Sequence, residues 1–329
     1  MAREPDPAPF IVANPGSGTT LLRLMLDAHP ELAIPPETHF VPELIARARE
    51  IRRAHDRRPT GAELAAEIAA SRRWADFGLD QDELAARMSG RRGESGARAA
   101  IRAFYELYAE AQGKTRWGDK TPDYLRSIRR IGRTLPEARF VHLIRDGRDV
   151  ALSRRRWRAR AGGRERPIDA WASQWQRWIA TARRQAQDVE HYLEVRYEDL
   201  VADTEPTLRR ICRFADLEFQ PGMLDYHERA SERLAELDRP LPAGKGKGAR
   251  AAEHRRAKHA LTSEPPREEK VEAWRREMSD EERLAIEAEA GELLAELGYP
   301  VQEPALNPDI PGREAEEMSG DGSEEAADK

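Results

Sequence analysis

Short apolar runs separated by helical sequence recur along the chain and predict buried strands. Residues 9–13 and 138–144 are almost continuously apolar, as is typical of parallel strands buried on both faces, and residues 192–197 alternate. Residues 32–34 form a shorter run of the same kind. Because these runs alternate with segments of helical composition, we expect an α/β protein whose central parallel sheet is covered on both faces.

A long segment between the first strands and the middle of the chain has a helical pattern. Residues 40–113 are rich in Ala, Arg and Glu, and a Gly-containing loop at 90–96 interrupts their periodicity. We expect this part to be a helical insertion packed beside the sheet. It would either shape the acceptor side of a substrate site or serve as plain scaffold.

The second half of the chain predicts further helices and then a tail. Residues 164–190 predict a long helix, and three tryptophans fall on one of its faces at a spacing typical of core residues. They are Trp171, Trp175 and Trp178. The last helices are predicted over residues 268–297 and end at Gly298. We therefore expect one domain over residues 8–300 and an acidic, proline-containing, disordered tail over residues 301–329.

Composition limits the classes of function. Of 329 residues, 39% are hydrophobic and 35% charged; no apolar run is long enough to cross a membrane, and the N-terminus lacks a hydrophobic leader. A cytoplasmic protein without a membrane span is expected. The single cysteine, Cys212, lies in an apolar-periodic stretch and is expected in the core. No histidines and cysteines cluster at metal-ligand spacing, so no metal is expected.

The net charge of −5 is unevenly distributed. Nine acidic and two basic residues give residues 301–329 a net charge of −7, which leaves +2 on the rest of the chain. A near-neutral body with arginine-rich patches suits a small anionic ligand better than a nucleic acid. No nucleic-acid partner is therefore expected.

A glycine-rich loop follows the first predicted strand and precedes a predicted helix. Backbone amides at such a junction face an anion, so the loop can cradle a phosphate. The residues that would do so are Gly16, Ser17, Gly18, Thr19 and Thr20. The loop differs from the G-x-x-x-x-G-K-[ST] pattern because Ala13 replaces its first glycine and Thr19 its lysine. A nucleoside triphosphate kinase would thus lack its phosphate-binding lysine.

Four motifs follow one another along the chain. They are Gly16-Ser-Gly-Thr-Thr-Leu-Leu-Arg-Leu-Met-Leu-Asp-Ala-His-Pro30 with Pro36-Glu-Thr38, Gly118-Asp-Lys-Thr-Pro122, Phe140-Val-His-Leu-Ile-Arg-Asp-Gly-Arg-Asp-Val-Ala-Leu-Ser153, and Val195-Arg-Tyr-Glu-Asp-Leu200. In this order they resemble the sulfotransferases that use 3′-phosphoadenosine 5′-phosphosulfate, and the tyrosylprotein and related bacterial groups in particular. The resemblance implies a three-layer α/β/α, P-loop-like domain, that donor as co-substrate, and a hydroxyl acceptor on a small molecule, carbohydrate or peptide.

The same resemblance implies a set of donor contacts. Residues 17–20 would hold the 5′-phosphosulfate, and Arg145 with Ser153 would hold the 3′-phosphate. Tyr197 of the fourth motif would belong to the donor site. A planar guanidinium at a strand end suits a phosphate dianion, because it offers two parallel hydrogen bonds. The alternative for Arg145 is a surface ion pair with Asp146 or Asp149.

Two residues compete for the role of catalytic base. Glu37 matches the family's carboxylate base, and His39 would face the same side if both lay in a strand. An N-cap or turn role for Glu37 is the third possibility. Lys120 matches a family lysine that stabilises the leaving phosphate, and Thr262 with Ser263 lies near a late serine that assists in some members.

Gly16 departs from the family pattern, because most relatives carry Arg or Lys at this position. We expect Lys120 or Arg23 to compensate in part, and the Gly16→Arg substitution to strengthen donor binding or rate. Otherwise the chain is a nucleotide-binding homologue with weak or no activity. A P-loop kinase is the remaining alternative. The segment Lys245-Gly-Lys-Gly248 is either a basic lid or a linker.

Overall fold

The computed structural model describes residues 5–89, 96–160, 162–164, 166–236 and 264–301. Its central sheet has four parallel strands in the order β4-β1-β5-β6. A separate parallel pair joins β2 to β3. The strands are β1 (Ala8–Ala13), β2 (Leu32–Ala33), β3 (Arg116–Trp117), β4 (Asp119–Lys120), β5 (Ala138–Ile144) and β6 (Tyr192–Arg196). The predictions of β1, β2, β5 and β6 are confirmed, whereas the two-residue strands β3 and β4 were not predicted.

Helices fill the intervals between the strands. The region predicted as a helical insertion contains five of them, α2 to α6, and the loop predicted at 90–96 lies outside the described residues except for Gly96. The helices before β5 are α1 (Thr19–Asp27), α2 (Val41–His55), α3 (Gly61–Ala69), α4 (Trp74–Phe77), α5 (Gln81–Ser89), α6 (Ala97–Ala111) and α7 (Ile128–Thr134). A 3₁₀-helix, Pro122–Ser127, links β4 to α7.

The remaining helices follow β5. They are α8 (Gly147–Arg160), α9 (Ile168–Ala186), α10 (Tyr197–Ala202), α11 (Thr204–Phe214), α12 (His227–Ala235), α13 (Trp274–Glu277) and α14 (Asp280–Glu296). The helix predicted at 164–190 is therefore α9, shorter at both ends. Gly298 follows α14 with φ +76°, a backbone conformation that favours glycine, so the predicted helix end is confirmed.

The sheet is buried on both faces, as the apolar strands predict. Successive side chains of a strand point to opposite faces, and those of β1 enter two different hydrophobic clusters. Phe10 and Val12 pack in one cluster with α2, α3 and α6. Ile11 and Ala13 pack in the other with α1, α11 and α12. The predicted three-layer α/β/α arrangement is thereby confirmed.

A third cluster joins the end of β5 to the last helix. Trp171 and Trp175 of α9 are buried there against Ile286 and Leu294 of α14. Trp178 is partly buried against the first cluster. The interpretation of the tryptophan face as core is thus confirmed. Cys212 is likewise buried in the second cluster.

Several sequence predictions fall on residues that the structure does not describe. These are Thr262, Ser263, the segment 245–248, and the tail from residue 302 onward. Among the described residues, no helix is both long and apolar enough to cross a membrane.

Candidate functional site

The four motifs meet at one edge of the sheet. The glycine-rich loop follows β1, Lys120 ends β4, Arg145 follows β5, and Tyr197 follows β6. Because these strands are parallel neighbours, their carboxyl ends lie side by side. Ligands of open parallel sheets bind at this edge. The sequence motifs therefore converge on a single candidate site.

The loop conformation depends on its two glycines. Gly16 and Gly18 have backbone φ angles of +105° and +92°, which residues with a Cβ rarely adopt. A Cβ at Gly18 would also overlap the Tyr197 ring, so the ring lies directly against the loop backbone. The Ser17 amide closes the turn by donating to the carbonyl oxygen of Asn14 at 3.2 Å. Gly18 then caps α1, whose N-terminus faces the loop.

Groups at the loop fit a phosphate-bearing ligand. The first amides of α1 have no partner within the helix, and the helix dipole makes this end positive. Ser17 is buried, with 1% of its surface exposed. Its hydroxyl oxygen has no hydrogen-bond partner in the described structure. The Arg145 Nε atom is likewise buried and unpartnered there. Buried polar groups are normally paired, so both atoms suit a phosphate oxygen.

Arg145 is held at the strand end by protein acceptors. Its guanidinium lies 4.5 Å over the Tyr197 ring and donates to the carbonyl oxygens of Gly16, at 3.3 Å, and of Lys270. It also donates to Asp149 at 3.3 Å. The ion pair with Asp149 thus forms, but at 9% exposure Arg145 does not lie on the surface. Asp146 does not pair with Arg145; it pairs with Arg148 at 2.7 Å.

Ser153 reaches the same loop from α8. Its hydroxyl oxygen would lie 3.2 Å from a Cβ at Gly16. The structure therefore brings both Ser153 and Arg145 against Gly16, as expected of residues that share a donor site. Their contact with a 3′-phosphate stays a prediction.

Glu37 and Lys120 form an ion pair beside the loop. The Lys120 ammonium donates to Glu37 Oε1 at 2.8 Å, and both side chains are largely buried. Two further side chains approach Oε2 of Glu37: the His39 ring at 3.2 Å and the Arg73 guanidinium at 3.8 Å. Arg73 precedes α4, so the helical insertion reaches the candidate base. Arg73 could not be predicted as a site residue, because it lies in a region without strand motifs.

The expected strand geometry for His39 is wrong. His39 has φ +56°, and β2 ends at Ala33, so Glu37 and His39 lie in an irregular segment and not in a strand. The backbone of this segment brings the His39 ring to Glu37. The two candidate bases are therefore in contact through a hydrogen bond of 3.2 Å.

A buried carboxyl group anchors the segment that carries Glu37. Thr38 and Tyr105 each donate a hydroxyl proton to Asp119 Oδ2 at 2.8 Å. The Thr38 amide donates to the Thr121 hydroxyl at 3.0 Å. Burial raises the pKa of Asp119 to about 6, although these hydroxyl donors oppose the rise. Asp119 was not predicted as a site residue, although it precedes Lys120 in the second motif.

The expected compensation for Gly16 by Arg23 is wrong. Arg23 is buried on α1 and donates to the carbonyl oxygen of Ile34 at 2.9 Å and to Glu236 at 3.1 Å. Its charge is neutralised away from the loop. The expected gain from Gly16→Arg is also disfavoured, because any side chain at φ +105° would be strained.

The chain is similar in sequence to known proteins. Protein-tyrosine sulfotransferase 1 of Danio rerio is 26% identical over 226 residues, which cover 68% of this chain and 56% of that protein. Nodulation protein NoeE of Sinorhizobium fredii (strain NBRC 101917 / NGR234) is 32% identical over 156 residues, covering 46% of this chain and 33% of that protein. The chain thus spans about half the length, or less, of these curated relatives.

Solved structures share the fold. The sulfotransferase domain from the curacin biosynthetic pathway has a TM-score of 0.58 at 20% identity, covering 91% of this chain and all of that one. The sulfotransferase domain from the Synechococcus PCC 7002 olefin synthase has a TM-score of 0.57 at 24% identity, with 91% and 97% covered. The family model described as "Sulfotransferase family" matches residues 7–221, a range that contains all four motifs. The chain therefore belongs to the sulfotransferase family.

Proposed function

We propose that this chain transfers a sulfuryl group from 3′-phosphoadenosine 5′-phosphosulfate to an acceptor hydroxyl. The observation that carries the proposal is the placement of the four motifs at the carboxyl ends of four adjacent parallel strands. This placement brings an anion-binding loop, a buried guanidinium and a carboxylate–ammonium pair to one edge. A kinase is disfavoured because Thr19 replaces the lysine of a nucleoside triphosphate loop.

The donor would lie across the loop, with one phosphate at each end. Ser17, Gly18, Thr19 and Thr20 would bind the 5′-phosphosulfate through amides and hydroxyls, and Gly16 would contribute its amide. Arg145 and Ser153 would bind the 3′-phosphate. Tyr197 supports both, since its ring lies against Gly18 and under Arg145. To bind the 3′-phosphate, Arg145 would have to give up one of its present hydrogen bonds to Gly16, Asp149 or Lys270.

The transfer itself would use Glu37 and Lys120. Glu37 accepts the proton of the acceptor hydroxyl while that oxygen forms its bond to sulfur. As the bond between sulfur and the bridging phosphate oxygen breaks, Lys120 stabilises the charge that collects on the leaving phosphate. His39, in contact with Glu37, is the alternative base or a partner that orients the carboxylate. The helical insertion, through Arg73, borders the acceptor side.

Donor binding and transfer test the proposal separately. We expect adenosine 3′,5′-bisphosphate, but not ATP, to bind in calorimetry. A mass-based transfer screen would then offer phenols, sugars and tyrosine peptides, the last because relatives are named protein-tyrosine sulfotransferases. Absence of bisphosphate binding would refute the proposal. Binding without transfer to any acceptor would favour a nucleotide-binding homologue, the second candidate suggested by Gly16.

The Glu37→Gln variant distinguishes catalysis from binding. Removing a general base is expected to lower the transfer rate by about 10²- to 10⁴-fold. Bisphosphate binding should stay within about twofold of the wild type, because Glu37 is paired with Lys120 and is not one of the proposed donor contacts. His39→Gln is the matched comparison. A larger loss in His39→Gln than in Glu37→Gln would make His39 the base.

A further inference from the structure

The structure places another cation where the loop lacks one. A side chain at Gly16 would begin against α8, where the nearest atoms belong to Ser153 and to Arg154. The Arg154 Cδ atom would lie 3.7 Å from a Cβ at Gly16. The stem of Arg154 therefore passes over the position at which a loop arginine or lysine would start.

Arg154 differs from its two neighbours on the same helix. Arg155 pairs with Glu282 and Arg156 pairs with Glu277, so their charges are neutralised. Within the described part of the chain, Arg154 forms no hydrogen bond or ion pair with a carboxylate. Its guanidinium is instead held between aromatic rings. It lies 5.0 Å from the ring centroid of Trp157 and 5.1 Å from that of Trp171.

The surroundings of Arg154 carry excess positive charge. Burial lowers the pKa of Arg154, Arg166 and Arg158 lower it further, and Asp123 is the acidic group that opposes them. An incompletely solvated guanidinium among like charges is unfavourable unless an anion binds. The guanidinium of Arg154 is therefore suited to an anionic ligand.

We infer that Arg154 binds the 5′-phosphosulfate end of the donor and replaces the basic side chain that Gly16 lacks. This inference rests on the proposed function. It explains why the loop can keep a glycine with φ +105° at position 16: the cation arrives from α8, and a Cβ at Gly16 would lie 3.2 Å from the Ser153 hydroxyl oxygen and in contact with Arg154. The aromatic rings of Trp157 and Trp171 would hold the guanidinium in place for the anion.

The test compares two ligands that differ at the 5′ end. Adenosine 3′,5′-bisphosphate and adenosine 3′-phosphate would be titrated into the wild type, Arg154→Met, Arg154→Lys and the matched control Arg155→Met. Methionine keeps an unbranched stem against the rings and removes the charge. Thermal unfolding of each variant checks that it is folded.

We expect Arg154→Met to weaken binding of the bisphosphate by about tenfold or more, as loss of a charge-assisted hydrogen bond does. Its affinity for adenosine 3′-phosphate should match that of the wild type. The transfer rate should fall on the order of 100-fold, since a cation at this end also stabilises the transferring group. Arg154→Lys should recover part of both losses, and Arg155→Met should behave as the wild type.

Each other result would overturn the inference. Wild-type affinity of Arg154→Met for the bisphosphate would show that Arg154 does not bind the donor, while the proposed function would stand. Equal losses for both ligands would place Arg154 away from the 5′ end. Equal losses in Arg154→Met and Arg155→Met would indicate only general attraction by the charge of α8. Failure of the wild type to bind either ligand would refute the proposed function, and the inference with it.

Discussion

Asp119 is a fully buried carboxyl group that holds the Glu37 segment through hydroxyl donors. Its Oδ1 atom has no hydrogen-bond partner in the described structure. Burial is the largest influence on its pKa, which lies at about 6 in place of 3.8. The folded protein therefore binds a proton at Asp119 more tightly than the unfolded chain does.

This shift makes the stability depend on pH in a defined window. A carboxyl group with a raised folded pKa contributes its full stability below pH 4, and that contribution is lost as the pH rises through about 6. Asn at this position keeps an acceptor for Thr38 and does not titrate. We predict that the variant becomes more stable relative to the wild type as the pH rises. The difference in unfolding free energy, Asp119→Asn minus wild type, should increase by up to about 3 kcal/mol between pH 4 and pH 7.

Denaturant titrations of both proteins at several pH values would measure this difference. The wild type and Asp119→Asn must be compared at each pH, because other carboxyl groups also titrate in this range. A constant difference from pH 4 to pH 7 would show that the pKa of Asp119 is not raised. If Asp119 positions Glu37, the variant should also lower the transfer rate more than the affinity for the bisphosphate.

Ion pairs that are buried between elements determine how α12 packs on α1. Arg233 of α12 donates to Asp27 of α1 at 2.7 Å and contacts Glu236 and the Tyr108 hydroxyl. Burial would raise the pKa of Asp27, but Arg233 and two other cations outweigh it, and the pKa is lowered. The carboxylate of Asp27 therefore depends on these partners to stay charged.

We predict that Arg233→Met lowers the unfolding free energy by about 3 to 5 kcal/mol, the usual result of leaving a buried charge without its partner. Arg229→Met is a matched control on the same helix, because Arg229 and Glu232 are exposed and 3.8 Å apart. That exposed pair should contribute less than about 1 kcal/mol. If both substitutions lowered the unfolding free energy equally in denaturant titrations, the buried pair of Arg233 and Asp27 would contribute no more than the exposed pair.

The length of a strand decides whether it could be predicted from the sequence. β1 and β5 could be predicted because buried parallel strands leave continuous apolar runs. β3 and β4 could not, since two residues leave no pattern, and Lys120 was found only through its motif. The partner of Arg23 lies 213 positions away, so no local pattern reveals it.

Some candidate site residues could be predicted from the sequence and others could not. Residues that immediately follow a strand, such as Arg145 and Tyr197, could be predicted because parallel strand ends share an edge. Arg73 could not be assigned, because its contact with Glu37 depends on how the helical insertion packs. Arg154 directly follows the third motif, but the contacts of its side chain depend on how α8 packs. The irregular backbone at His39 was missed for a third reason: its positive φ occurs at a residue other than glycine, so no sequence signal marks it.

The last described segment belongs to the same folded unit as the candidate site, although the family match ends at residue 221. Arg148 of α8 is fully buried, lies 3.7 Å from the Trp274 ring centroid and pairs with Glu287 at 2.7 Å. The Trp274 amide donates to Asp149 at 2.9 Å. The final helices therefore complete the corner that carries Arg145.

We predict that removing residues 264–329 abolishes cooperative unfolding. Ile144 and Trp175 would lose the cover of α14, and each large apolar side chain returned to water forfeits about 1.5 to 3 kcal/mol. Arg148 would keep its ion pair with Asp146 but lose the one with Glu287. Breaking a buried ion pair in this way lowers the stability further. Together these losses approach the whole stability of an ordinary domain, about 5 to 15 kcal/mol.

The matched control removes only residues 302–329, which the sequence predicts to be a solvated acidic tail. We expect this shorter deletion to leave the thermal midpoint within about 2 °C of the full chain, a change well under 1 kcal/mol. Circular dichroism during heating would measure both deletions. A cooperative transition at an unchanged midpoint in the longer deletion would show that α14 does not stabilise the sheet. In that case bisphosphate binding should survive the deletion.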